Sequence, residues 1–113
     1  MQLRTLVLAA GLLWPVSSFS QDEHVAFRSS NALYKDCTAR TDDLVARSLC
    51  LGYVAGAADM LDEMKVTCRP TEVTVGQTRD IVVNYHRDHP ESRHYAASDE
   101  VSAVLAKTFP CKK

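Results

Sequence analysis

Residues 43–65 read DLVARSLCLGYVAGAADMLDEMK. Leu44, Val45, Leu49, Cys50, Val54, Ala57, Ala58, Leu61 and Met64 recur at the three- and four-residue intervals of an α-helix, not at the alternation of a strand. They predict one long helix, from about Asp43 to Lys65, with a broad buried face. Thr41-Asp42-Asp43 precedes it as a cap and acidic first turn, where the helix dipole favours carboxylates. Gly52 and Gly56 lie inside the helix, each costing roughly 1 kcal/mol against alanine. Their spacing, with Ala55 and Ala57 beside them, predicts that another helix crosses closely there, within the domain or across a dimer. Tyr53 would then lay its ring over the crossing, and a bulky residue at Gly56 would cost more than about 2 kcal/mol.

Working outward, the remaining periodicity is also helical. A first helix is expected from about Ser30 to Ala39, capped by Ser29, Ser30 or Asn31, with Leu33, Tyr34 and Cys37 on one face. Cys68-Arg69-Pro70 ends the segment that follows the long helix. Thr74-Val75-Gly76-Gln77 has capping-box spacing and opens a third helix through Val83, Tyr85 and His86. His89-Pro90 stops it, because the residue before proline avoids helical geometry. A fourth helix is expected from about Tyr95 to Thr108, with Val101, Val104, Leu105 and Phe109 facing inward. The fold class is all-α, a small disulfide-stapled four-helix domain.

The beginning of the chain carries an export signal. Arg4 supplies a positive n-region, Leu6 to Trp14 a short apolar core, and Pro15 to Ser20 a break with small residues at the cleavage positions Ser18 and Ser20. The apolar run is shorter than the roughly 20 residues a membrane span needs, and no later stretch is expected to reach that length. Residues 1–20 are therefore expected to be a cleaved signal peptide and residues 21–113 a single domain in a compartment where thiols oxidise. The mature chain has 93 residues, with 12 basic against 14 acidic side chains. It lacks a basic stripe with interleaved aromatics, which argues against nucleic acid and, after signal cleavage, against a membrane as partner.

A chain of this size is marginal for a core unless something staples it. Cys37, Cys50, Cys68 and Cys111 form an even set without a Cys-x-x-Cys pair, which favours structural disulfides over redox or metal chemistry. A helical hairpin would bring Cys37 to Cys50 and leave Cys68 for Cys111. The interlaced pairing, Cys37 with Cys68 and Cys50 with Cys111, stabilises about as well in the chain-entropy model, so geometry alone favours the first.

His86 and His89 are three residues apart, and His94 follows Pro90. Such spacing can serve zinc, but nothing fixes a third ligand, and a solvated helix end is the plainer reading. Asp59, Asp62 and Glu63, with Asp42 and Asp43, read as a solvated acidic face able to dock a basic partner, not as a catalytic pair. With no nucleophile elbow, phosphate-cradling loop or Ser-His-Asp arrangement, no enzyme, cofactor or metal is expected.

Several pieces in fixed order resemble the Rap/Tai family, the periplasmic immunity proteins that neutralise peptidoglycan amidase effectors of type VI secretion. They are Asn31 to Cys37, Cys50-Leu51-Gly52-Tyr53-Val54-Ala55-Gly56, Cys68-Arg69-Pro70, Val73 to Gln77, His89-Pro90-Glu91-Ser92-Arg93-His94 and Phe109-Pro110-Cys111. The resemblance implies a helical domain, often a homodimer, that blocks an amidase by plugging its active-site groove. Where the family pattern leads one to expect proline after the Arg-His stretch, this chain has Tyr95-Ala96-Ala97, which leaves the start of the fourth helix open. The best candidate for partner contact is the stretch from Asp88 to Tyr95, with Asp88, His89, Glu91, Arg93, His94 and Tyr95. It follows a helix stop, carries both charge signs and includes residue types that anchor interfaces. Arg93 and His94 are also placed to cap carbonyls or bond the adjoining loop. The alternative is a stand-alone periplasmic stress or chaperone-like protein, whose histidines and carboxylates would swing in charge at low pH.

Alkylation of periplasmically produced protein under denaturing, non-reducing conditions should leave its intact mass unchanged. Any labelled cysteine would count against two disulfides.

Overall fold

The structure, a computed structural model, describes residues 26–112 together with Gly11 and Leu13. The expected cleavage positions Ser18 and Ser20 lie outside the described residues. Four helices follow in order: α1 (Ser30–Cys37), α2 (Leu44–Glu63), α3 (Val75–Asp88) and α4 (Ala97–Thr108), with a 3₁₀ turn at Pro90–Ser92 between the last two.

Three of the four helices begin where a side chain takes up free backbone amides, while α4 starts after Ala96 with no side-chain cap. Ser29 is the cap of α1, its Oγ accepting from Ala32 N–H at 3.2 Å. Asp43 caps α2, accepting from Ala46 N–H at 3.0 Å, so its carboxylate serves as the cap and the first turn itself holds no acid. Thr74 and Gln77 complete the capping box of α3 at 3.1 and 2.8 Å.

Three ends differ by two residues from the sequence expectation; α2 stops at Glu63, not Lys65. α1 stops at Cys37, two residues early, where Thr38 Oγ1 donates back to the Tyr34 carbonyl at 2.7 Å. α4 starts at Ala97, not Tyr95, because Tyr95 and Ala96 are engaged by the residues at the entry to α1, Ser29 and Ser30. Ser29 pairs with Ala96 in an isolated antiparallel bridge, and Ser30 N–H donates to the Tyr95 carbonyl at 2.9 Å.

α2 ends in a left-handed residue, Lys65 (φ 60°), with Lys65 N–H bonded to the Asp62 carbonyl and Val66 N–H to the Leu61 carbonyl. That is a Schellman closure with lysine where glycine is usual. Beyond it, Arg69 folds back onto the helix, reaching Asp62 at 3.0 Å and the Val73 carbonyl at 3.1 Å. Burial alone would raise the Asp62 pKa, but the hydrogen bonds from Thr67 and Arg69 outweigh it and hold the carboxyl below its usual value.

The core is one cluster drawn from all four helices. Leu33, Cys50, Val54, Val82, Ala97, Val101 and Leu105 are wholly or almost wholly buried, and Cys37, Ala58, Leu61 and Val104 join them. Cys37 is bonded to Cys50 across the α1–α2 turn, with 5.0 Å between the Cα atoms. Cys68 is bonded to Cys111, joining the end of the α2–α3 connection to the tail after α4.

α2 departs most from its sequence pattern. The expected broad buried face is narrow, comprising Cys50, Val54, Ala58 and Leu61. Leu44, Val45, Leu49 and Met64 are 71%, 73%, 50% and 64% exposed. Gly52 and Gly56 also face outward, and a Cβ built on either would meet nothing within 4 Å. The close crossing expected within the domain is therefore absent, and the penalty expected for a bulky residue at Gly56 has no internal cause. α2 is also, by length and composition alone, apolar enough to cross a membrane, contrary to the expectation that no later stretch reaches that length. Here one side of it packs on the core, and a disulfide ties it to α1.

Leucine truncation separates the two sides of the pattern. Leu33→Ala should cost about 2–5 kcal/mol in urea unfolding, whereas Leu44→Ala in the monomer should stay within about 0.5 kcal/mol.

Candidate functional site

The stretch from Asp88 to Tyr95 forms a corner between α3 and α4, and the structure divides its residues into anchors and outward-facing groups. Arg93 is the principal anchor. Its Nε donates to the His86 carbonyl at 2.6 Å and its Nη2 to the Arg87 carbonyl at 3.2 Å, so it caps the free carbonyl end of α3. Its guanidinium lies 4.1 Å from the centroid of the Tyr34 ring on α1, a cation–π contact. His89 is the second anchor. Its Nδ1 donates to the Tyr85 carbonyl at 2.8 Å, and its ring stacks on Tyr85 with centroids 4.2 Å apart. Ser92 adds a third, donating to Glu100 on α4 at 2.8 Å.

The backbone of the corner is held from below. Asn31 N–H donates to the Arg93 carbonyl at 2.7 Å, and Ala97 N–H to the Arg28 carbonyl at 3.0 Å. The amides of Ser30 and Asn31 belong to the first turn of α1 and have no partner within their own helix. The corner supplies those partners, so the start of α1 and the end of the corner stabilise each other.

Asp88, Glu91, His94 and Tyr95 are exposed. Tyr95 is 53% exposed, with the His94 ring tilted against it at 4.2 Å. Beside the corner lies a groove of about 390 Å³ lined by Tyr85, His89, Ala103, Val104 and Lys107. Burial raises the Tyr85 pKa, and the nearby Glu100 carboxylate adds to it, so the phenol stays protonated as a donor. A mixed-charge rim, an exposed aromatic pair and an adjacent groove suit recognition by contact. Among the described residues, no group of three or more His, Cys, Asp or Glu side chains is placed to hold a metal ion.

The histidines differ from the expectation of a solvated helix end. His86 is wholly buried on the inward stripe of α3 with Thr78 and Val82. Four-residue spacing after Thr78 and Val82 was the available signal, but a polar stripe is easily read as the outer face. In the sequence Tyr34 belongs to an apolar face; its role as the seat of Arg93 depends on a contact far along the chain.

The family model for Rap1a immunity proteins matches residues 29–111, which take in all four helices, both disulfides and the corner. The chain belongs to the Rap1a immunity protein family. No curated protein matches it, and no solved structure does. Membership in this family makes the protein an immunity protein directed at a secreted effector.

Arg93→Ala should cost about 2 kcal/mol in urea unfolding, since a charged group's hydrogen bonds to two helix-end carbonyls are lost with the ring contact. Glu91→Ala and His94→Ala should each remain within about 0.5 kcal/mol of the parent protein.

Proposed function

We propose that this protein is exported to the periplasm and neutralises a type VI secretion peptidoglycan amidase by inserting its 88–95 corner into the enzyme's active-site groove. The observation that carries the reading is the construction of the corner. Three side-chain anchors and two backbone bonds fix it, while Asp88, Glu91, His94 and Tyr95 are presented outward. A pre-ordered segment loses little entropy on docking, so more of its contact energy appears as affinity. The inhibitor works by occupation and contributes no catalytic group of its own. The amidase as target comes from the resemblance of the sequence landmarks to the Rap/Tai proteins.

The unit that acts is a homodimer joined through the outward face of α2. Val45, Leu49 and Met60 are exposed there, with Gly52 and Gly56 between them. An exposed apolar stripe marks a contact surface. The glycines, costly within a lone helix, let a second α2 approach closely.

Two experiments test these readings. Periplasmic co-expression with a peptidoglycan amidase encoded beside the gene should prevent lysis and yield a complex. Tyr95→Ala should weaken that complex by about 2 kcal/mol or more without changing the fold. Unchanged lysis with no complex recovered refutes the immunity reading for this amidase target. In sedimentation equilibrium at tens of micromolar, the parent protein should be a dimer and Leu49→Lys a folded monomer. A monomeric parent refutes the α2 interface.

A further inference from the structure

The corner rests on a buried ionisable group. His86 is 0% exposed, and neither Nδ1 nor Nε2 has a hydrogen-bond partner in the protein. Its ring meets Tyr34 of α1 edge-on at 6.4 Å between centroids, and Tyr85 of its own helix at 5.7 Å. His86 thus touches Arg93's supports in two ways. Its carbonyl accepts from Arg93 Nε, and its ring packs against the same tyrosine over which the Arg93 guanidinium lies.

The charged and titratable groups facing the imidazole come from every side of this junction. Tyr34 stands on α1, Tyr85 and His89 on α3, Arg93 on the corner and Glu100 on α4. Glu100 is also the acceptor for Ser92, another anchor of the corner. A positive charge on His86 would therefore act on two anchors in opposite senses. It would repel the Arg93 guanidinium and attract the Glu100 carboxylate that holds Ser92.

We propose that His86 is a proton-operated latch for the corner: while neutral it lets Arg93 and Ser92 stay seated, and on protonation it displaces both, so that residues 89–95 come loose and an engaged partner is released. The release of a partner rests on the function proposed above; the latch itself is a property of the isolated chain. The buried surroundings explain why the device has two states. An unpartnered imidazole in a dry site tolerates the neutral form and penalises the charged one.

Burial pushes the His86 pKa below its ordinary value; Glu100 acts in the opposite direction, while Arg93 and His89 act with burial. The folded, latched state therefore stays neutral where an open state would already take up a proton. Latch stability is complete above the ordinary histidine value of about 6.5. It declines as the pH falls from there towards the lowered value of the folded state. Within that window each pH unit shifts the latched-to-open ratio by up to about tenfold.

The test uses the mature, oxidised chain alone, labelled with ¹³C and ¹⁵N and taken from pH 7.5 to pH 5. The His86 ring should remain neutral at pH 6.5, and the heteronuclear NOE of residues 91–95 should fall as the ring protonates. His86→Phe, which keeps a ring against Tyr34 and Tyr85, should hold that NOE flat over the same range. Glu100→Gln, which keeps an acceptor for Ser92, should move the transition to lower pH and serves if the phenylalanine variant does not fold. A His86 ring that titrates in the folded protein at or above about pH 6.5 overturns the latch. So does the same loss of order in His86→Phe, or an unmoved transition in Glu100→Gln. None of these outcomes bears on amidase binding at pH 7.5, so the latch and the immunity reading fail separately.

Discussion

The narrow inward stripe of α2 is the constraint on which the rest of the domain depends. Cys50, Val54, Ala58 and Leu61 are the surface against which α1, α3 and α4 all pack. The stripe is small-featured, with one alanine and one half-cystine among four positions, so the hydrophobic contribution of the helix is modest for its length. The Cys37–Cys50 bond offsets this by making the α1–α2 turn a covalent hairpin, and Cys68–Cys111 closes a 43-residue separation around α3 and α4. Constraining the unfolded chain in this way is a usual means by which small domains with modest cores remain folded.

With the core so arranged, the corner between α3 and α4 is a polar junction ordered by hydrogen bonds. Its order comes from reuse of groups that helices leave unsatisfied. Arg93 takes the last carbonyls of α3, and the first amides of α1 take the carbonyls of Arg93 and Tyr95. A loop held this way needs little apolar burial of its own, which leaves Glu91, His94 and Tyr95 exposed.

Much of this was legible in the sequence, and the failures have physical causes. Capping is local, so Thr74 with Gln77 and the stop at His89-Pro90 could be placed from neighbouring residues. The outward apolar residues of α2 could not. Leu44, Val45 and Leu49 satisfy helical periodicity as well as Cys50 and Val54 do, and only the positions of three other helices decide which side is covered. Gly52 and Gly56 misled for the same reason: their spacing marks a possible close approach but not which surface makes it. The type of His86 and its place near a helix end suggest solvent, yet the packing of Tyr34 and Tyr85 against its ring settles its burial.

The sequence by itself determined the all-α class, the order of four helices and most of their caps, because these follow from interactions within a few residues. It also carried the landmarks that reveal the family. Tertiary structure alone decided which half of α2 is covered, which corner residues are anchors and which face outward, and that a histidine lies unpartnered in the core. Each of these depends on contacts between helices distant along the chain, where the same side chain is stable inside or outside according to what comes to lie against it.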